Sequence, residues 1–228
     1  MADFSLVILA GLAGAFLAAA WLIVAEPSDA WALIVASLAM SGGHLLGLGA
    51  VFRRHRASSA DLGLEVRPED GRYLFAGAIL QIGATYLFAP LAELVESEGS
   101  TQVALEQIAV VEGTLAKAMV VLVVGLVSPA VEELVFRGLL LRALEQRMRA
   151  VPAVVVSAVV FGAIHIFGLD TANPLAGAIT IAELFVVGLV LGELTRRTGR
   201  LGPAVFTHAG FNLLAVVVLI FAPEILGN

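Results

Sequence analysis

The stretch SPAVEELVFRGLLLR, residues 128–142, sets two adjacent glutamates and an arginine inside an apolar run that begins near residue 114. About 18 to 25 apolar residues are enough to cross the ~30 Å hydrocarbon core of a bilayer as a helix. A charged side chain at mid-bilayer costs roughly 2.5 to 3.5 kcal/mol on insertion scales, so Glu132, Glu133 and Arg137 must face protein or water rather than lipid. Glu133 and Arg137 stand four apart with the acid first, the better orientation for a helical ion pair. Adjacent residues on a helix point about 100° apart, so Glu132 has to find its partners on other helices. The blander reading is that both glutamates brace helix ends through hydrogen bonds. Pro129, just ahead of them, frees a backbone carbonyl and tends to kink a membrane helix, and a neighbour or water must then satisfy that carbonyl.

Outward from this stretch the whole chain is apolar. Of its 228 residues 60% are hydrophobic and only 14% charged, with a mean hydropathy of +0.98, a composition outside the soluble globular range. Apolar windows fall near 4–24, 31–52, 73–94, 114–141, 151–168, 175–195 and 201–222. They are too long for barrel strands and show no sustained alternation of apolar and polar residues. The reading is all-α: a transmembrane bundle of about seven helices. MADFS carries no positive charge, so the first window reads as an uncleaved helix rather than a signal peptide. The absence of cysteine excludes disulfide and thiol chemistry.

Charge placement gives a topology. Apart from Arg137, the arginines lie in three alternate connections: Arg53, Arg54, Arg56, Arg67 and Arg72; Arg142, Arg147 and Arg149; Arg196, Arg197 and Arg200. The other connections hold Glu26 and Asp29, then Glu96, Glu98, Glu106 and Glu112, then Asp170, with Lys117 the one nearby cation. The positive-inside rule puts the amino terminus in the cytoplasm and the carboxy terminus outside. The basic loops are short and mixed with acids, so they read as topology signals and not as a nucleic-acid surface. The longest connection predicts a short surface helix capped by Ser100 or Thr101, with Ala104, Leu105, Ile108 and Val111 on one face. Gly43 with Gly47, and Gly188 with Gly192, have the spacing that lets helix backbones approach.

Further polar residues interrupt later windows. His165 follows Phe161 by four in FGAIH, and Asn212 follows His208 by four in HAGFN, so each pair shares a helix face. At ~1.5 Å rise per residue, Glu132 lies about 15 Å, His165 about 21 Å, His208 about 10 Å and Asn212 about 16 Å from the basic ends of their helices. Four polar groups on three helices thus reach overlapping depths. His44, among glycines in SGGHLLG, reads as a packed, hydrogen-bonded histidine. Glu193 precedes Arg196 and Arg197 by three and four and reads as a helix-end ion pair. Glu183 has no evident partner within its own helix and reads as a residue behind the site or lining a pore.

The order EExxxR at 132–137, FxxxH at 161–165 and HxxxN at 208–212 resembles the CPBP family, also called Abi, of intramembrane proteases, which includes the type II CAAX prenyl proteases and bacteriocin-immunity proteins. Pro129, the FRG of Phe136 to Gly138, the GP at 202–203 and the ADLGL at 60–64 agree with it. The resemblance implies a single membrane domain over 1–228, with amino-terminal helices and loops over 1–113 and a catalytic core over 114–222. It implies that Glu132 and His165 activate a water, that His208 and Asn212 bind the oxyanion, and that Glu133, Arg137 and Phe161 hold the site. Fixed donors aimed at developing charge contribute most where water is scarce.

Members have also been described as metalloproteases. In that version Glu132, His165 and His208 would be the ligands of a zinc with an open position for water. The chain lacks HExxH, and those three ligands would leave no separate base, so the metal-free glutamate mechanism is favoured. Implied partners are a peptide or protein substrate, including C-terminal segments, and membrane lipid, in a prokaryotic plasma membrane. Two rival readings stand beside this one. A proton-coupled transporter would use Glu183 in its relay, and a non-catalytic immunity or scaffold protein would keep the fold alone.

Overall fold

The computed structural model describes residues 1–95, 103–169 and 173–222. Glu96, Glu98, Ser100, Thr101, Asp170 and the side chain of Ala104 lie outside the described residues. Every regular element described is helical: α1 (Ala2–Ala25), α2 (Asp29–His55), α3 (Tyr73–Leu94), α4 (Val103–Ala109), α5 (Thr114–Glu145), α6 (Ala150–Ile164), α7 (Pro174–Thr198) and α8 (Gly202–Phe221). Seven of them, all but the short α4, are long and apolar enough to cross a membrane, which agrees with the seven apolar windows. Their outward faces carry Phe16, Leu17, Ile23, Phe75 and Ile79, all strongly exposed. Such a surface is stable against lipid and not against water. The protein is an integral membrane protein.

Three helix pairs surround a central rod. α1 packs on α2, α3 on α8, and α6 on α7, while α5 touches α2, α6 and α8. Gly43 and Gly47 let α2 lie against the α1 backbone at Ala10 and Val7, and Gly188 and Gly192 do the same for α7 against Ala158 and Val154 of α6. Two apolar clusters sit at different heights on α5. One gathers Leu48, Val51, Val135, Phe136, Leu140, Leu141 and Phe161. The other gathers Ile34, Ile108, Val111, Val120, Val123 and Leu219. The glutamates at 132 and 133 fall between them, so apolar packing lies on either side of the polar site.

The expected surface helix is present as α4. Its Ile108 and the following Val111 are buried in the second cluster and Leu105 packs against them. At the other end the three basic connections meet. Leu201 N donates to Gly63 O at 2.8 Å, Gly202 N to Glu65 O at 3.2 Å, and Arg142 Nη2 to Gly199 O at 2.7 Å. Asp70, fully buried, accepts from both guanidinium nitrogens of Arg200, with Nη2 at 2.8 Å, and from Arg67 N at 2.9 Å. Asp3 pairs with His55 at 3.1 Å, which brings the start of the chain to this same end. The ADLGL connection is thereby clamped onto the turn that enters α8, the helix that carries His208 and Asn212.

Removing the guanidinium of the half-buried Arg200 leaves the carboxylate of Asp70 uncompensated. Arg200→Ala is therefore expected to lower the apparent Tm of detergent-purified protein well beyond the change caused by Arg147→Ala on the exposed surface. Equal shifts for the two variants would show that the clamp contributes nothing.

Candidate active site

The backbone of α5 departs from regular winding on both sides of the glutamates. Residues 123–127 and 134–141 are π-wound, flanking the short α-helical turn Ser128–Glu133. Ser128 N–H donates to Val123 O, five residues back. The next N–H in that register would serve Val124 O, but residue 129 is proline and has none. Asn212 of α8 supplies it: Nδ2 donates to Val124 O at 3.1 Å. The carbonyl freed by Pro129 is thus satisfied by a side chain from another helix rather than by a kink open to water. One of the two amide hydrogens of Asn212 is committed in this way, and the other remains for a ligand.

Glu133, Arg137 and His208 form a buried cluster, at 0%, 0% and 4% exposure. Arg137 Nη1 donates to Glu133 Oε1 at 2.8 Å, the i,i+4 pair expected from the sequence. Arg137 Nη2 reaches across to Gly188 O of α7 at 3.1 Å, and the guanidinium lies 4.4 Å from the centre of the Phe161 ring. The third member is His208, expected from the sequence as an oxyanion donor beside Asn212 rather than as a partner of Glu133. His208 Nδ1 lies 2.9 Å from Glu133 Oε1, and because a carboxylate only accepts, Nδ1 carries the hydrogen. A histidine within reach of EE is the signal that was there, but both glutamates were equal candidates for it until helix rotation was known.

With Nδ1 committed to Glu133, His208 Nε2 faces Glu132, 3.9 Å from Oε2. That is too long for a direct hydrogen bond and short enough for one water to touch both atoms. Glu132 keeps 18% of its side chain exposed while Glu133 keeps none. The two adjacent acids therefore differ in kind: one is locked into the fold, and the other borders an accessible space.

Phe161 joins the remaining histidine to this group. Its ring packs edge-on against His208 at 5.7 Å and His165 at 5.0 Å between centroids. His165 Nδ1 donates to Phe161 O at 2.7 Å, which fixes the tautomer and leaves Nε2 as the free acceptor. The structure thus brings Glu132 to His208, Asn212 to the α5 backbone, and His165 into contact with Phe161. Glu193 pairs with Arg196 and Arg197, both at 2.6 Å, at the basic end as expected. Glu183 stands half-buried on α7 and is not a member of the hydrogen-bonded cluster. His44 is buried on α2. Among the described residues no group of three or more His, Asp and Glu is arranged to hold a metal ion.

Residues 114–214 match the family model described as Rce1-like, type II CAAX prenyl endopeptidase Rce1-like. The matched segment contains Glu132, Glu133, Arg137, Phe161, His165, His208 and Asn212. No curated protein matches the chain, and no solved structure does.

The bond from Asn212 to Val124 O yields a double-mutant cycle. Asn212→Leu is expected to destabilise the protein by about 1–3 kcal/mol, the cost of a buried unpaired carbonyl. In a Pro129→Ala background, which restores a backbone N–H, that loss should shrink by about 1 kcal/mol. Chemical unfolding in detergent reads both. Additive losses would mean that Val124 O is satisfied in another way.

Proposed function

Because residues 114–214 match the family model of Rce1-like type II CAAX prenyl endopeptidases, we propose that the protein is an intramembrane endopeptidase in which Glu132 activates a water. The observation that carries this reading is the pairing of Glu132 with His208 Nε2 at 3.9 Å, with the other nitrogen of the same ring tied to a fully buried carboxylate. A histidine held in this way has one free edge, and that edge is turned to the exposed acid.

In the proposed reaction the water oxygen attacks the scissile carbonyl carbon while Glu132 takes its proton. His165, whose Nε2 is free to accept, orients the water from the α6 side. The carbonyl oxygen becomes an oxyanion. His208, when Nε2 carries a proton, and the second amide hydrogen of Asn212 donate to it. On collapse the C–N bond breaks, and the proton held by Glu132 passes to the leaving amine. The products are one carboxylic acid, which then ionises by releasing its proton to solvent, and one amine. Glu133 and Arg137 take no part in proton transfer; they hold His208 in register. No serine or cysteine nucleophile enters, and no step uses a metal.

The substrate in this reading is a peptide or protein segment reached from the membrane, C-terminal segments included. The basic end of the bundle faces the cytoplasm by the positive-inside rule, so the turn preceding α8 lies on that side.

The test is cleavage of a quenched-fluorescent peptide bearing a farnesylated CAAX end, beside its unprenylated twin, by protein in liposomes. Glu132→Ala and His208→Ala are each expected to lower kcat/KM by roughly 10²-fold or more, the scale of losing a general base or an oxyanion donor. Preference for the farnesylated probe would narrow the substrate class to prenylated ends. Full cleavage by Glu132→Ala would contradict the assignment of the base.

A further inference from the structure

Helices α3 and α7 touch and leave between them a cleft of about 480 Å³, a volume in the range of small-ligand sites. Ala76 and Leu80 of α3 and Leu189, Val190 and Leu194 of α7 form its walls, and the buried Thr207 of α8 closes the back. The other lining residues are polar and gather at one end. Tyr73 opens α3, while Glu193 and Arg197 stand in the last turns of α7. The charged mouth therefore lies at the basic, cytoplasmic end, and the apolar slot runs from it for ~12 Å toward mid-bilayer.

Charge at the mouth is unbalanced. Arg196 takes both oxygens of Glu193, at 2.6 and 2.7 Å, and Arg197 reaches one of them through Nε at 2.6 Å. Arg197 still keeps 72% of its side chain exposed. Arg72 adds a cation from the α3 side: its guanidinium stands 5.1 Å from the centre of the Tyr73 ring, with Nη2 3.4 Å from the phenol oxygen. Three cations thus stand around one acid at the level of the inner-leaflet headgroups. A guanidinium fork matches phosphate oxygens in pairs, and an apolar slot beneath a phosphate suits an acyl chain. A topology signal needs the arginines alone and no slot between the helices below them. The site of cleavage lies elsewhere. Thr207 lines the cleft, whereas its neighbour His208, about 100° round α8, turns to Glu133 of α5. A chain seated in the slot leaves Glu132 free.

We propose that this cleft binds one anionic phospholipid of the cytoplasmic leaflet, with an acyl chain between α3 and α7 and the phosphate on Arg197 and Arg72. The proposal is independent of the chemistry assigned to Glu132. Native mass spectrometry of the detergent-purified protein, titrated with dioleoylphosphatidylglycerol or with dioleoylphosphatidylcholine, tests it. One phosphatidylglycerol per chain is expected to stay bound at concentrations at which phosphatidylcholine leaves, and equal retention of the two would overturn the proposal without any variant. Arg197→Ala is expected to weaken the binding about fivefold, the effect of losing one cation near a lipid phosphate. Ala76→Phe, which keeps every charge and fills the slot, should weaken it at least as much. Arg147→Ala, in a basic connection but outside the cleft, should leave it unchanged. Equal losses for Arg197→Ala and Arg147→Ala would show diffuse attraction to a basic surface and overturn the site, as would full binding by Ala76→Phe. Displacement of the phosphatidylglycerol by a farnesylated peptide would give the slot to the substrate and overturn the proposal as well.

Discussion

The buried triad of Glu133, Arg137 and His208 constrains everything around it. Two formal charges with essentially no solvent access carry a desolvation penalty of several kcal/mol per ion, which close geometry and hydrogen bonding offset in part, since Glu133 Oε2 and Arg137 Nε have no hydrogen-bond partner. The offset comes from four helices at once. α5 contributes the ion pair, α7 a backbone carbonyl, α6 the face of Phe161 and α8 the imidazole. Moving any one of these helices would leave a charge unmatched, so the cluster acts as a registration device for the carboxyl-terminal half of the bundle. Apolar packing between lipid-embedded helices has no comparable directionality, because lipid tails solvate leucine as well as leucine does.

Fixing that register sets the chemistry beside it. Once Glu133 is turned inward, its neighbour Glu132 must emerge about 100° around the helix, toward the space that His208 Nε2 borders. The π-wound turns on either side contribute to this local placement. The carbonyl they release at Pro129 is taken by Asn212, so the residue one turn beyond His208 is anchored to the helix that carries the acid. Acid, imidazole and amide are therefore positioned by one another's backbones. Preorganisation of this kind is what makes fixed donors effective in a site of low dielectric.

The sequence disclosed those parts of the structure that depend on local periodicity. Seven spans followed from apolar length, the shared side of the basic connections from charge alternation, and the pairs Glu133–Arg137 and Glu193 with Arg196 and Arg197 from helical spacing. What stayed hidden depends on how separate helices rotate about their own axes. The bond of His208 to Glu133 joins residues 75 apart in the chain, and that of Asn212 to Val124 joins residues 88 apart. Neither has a local signature. Pro129 announced a free carbonyl but not its partner. His44 reads as packing from the glycines around it, and Gly11, on another helix, is the glycine that makes its space. The clamp at the basic end was equally unreadable, since ADLGL and the turn before α8 are short loops whose docking is set by backbone groups common to every residue.

The central claim is that Glu132 acts through a water and not as a nucleophile itself. A single turnover in H₂¹⁸O, with protein in excess over a cleavable peptide, tests it most directly. The account predicts one ¹⁸O atom in the new carboxylate of the product from the first turnover and none in the protein. Product released with ¹⁶O, together with ¹⁸O found in the side chain of Glu132, would show a covalent anhydride route and contradict it.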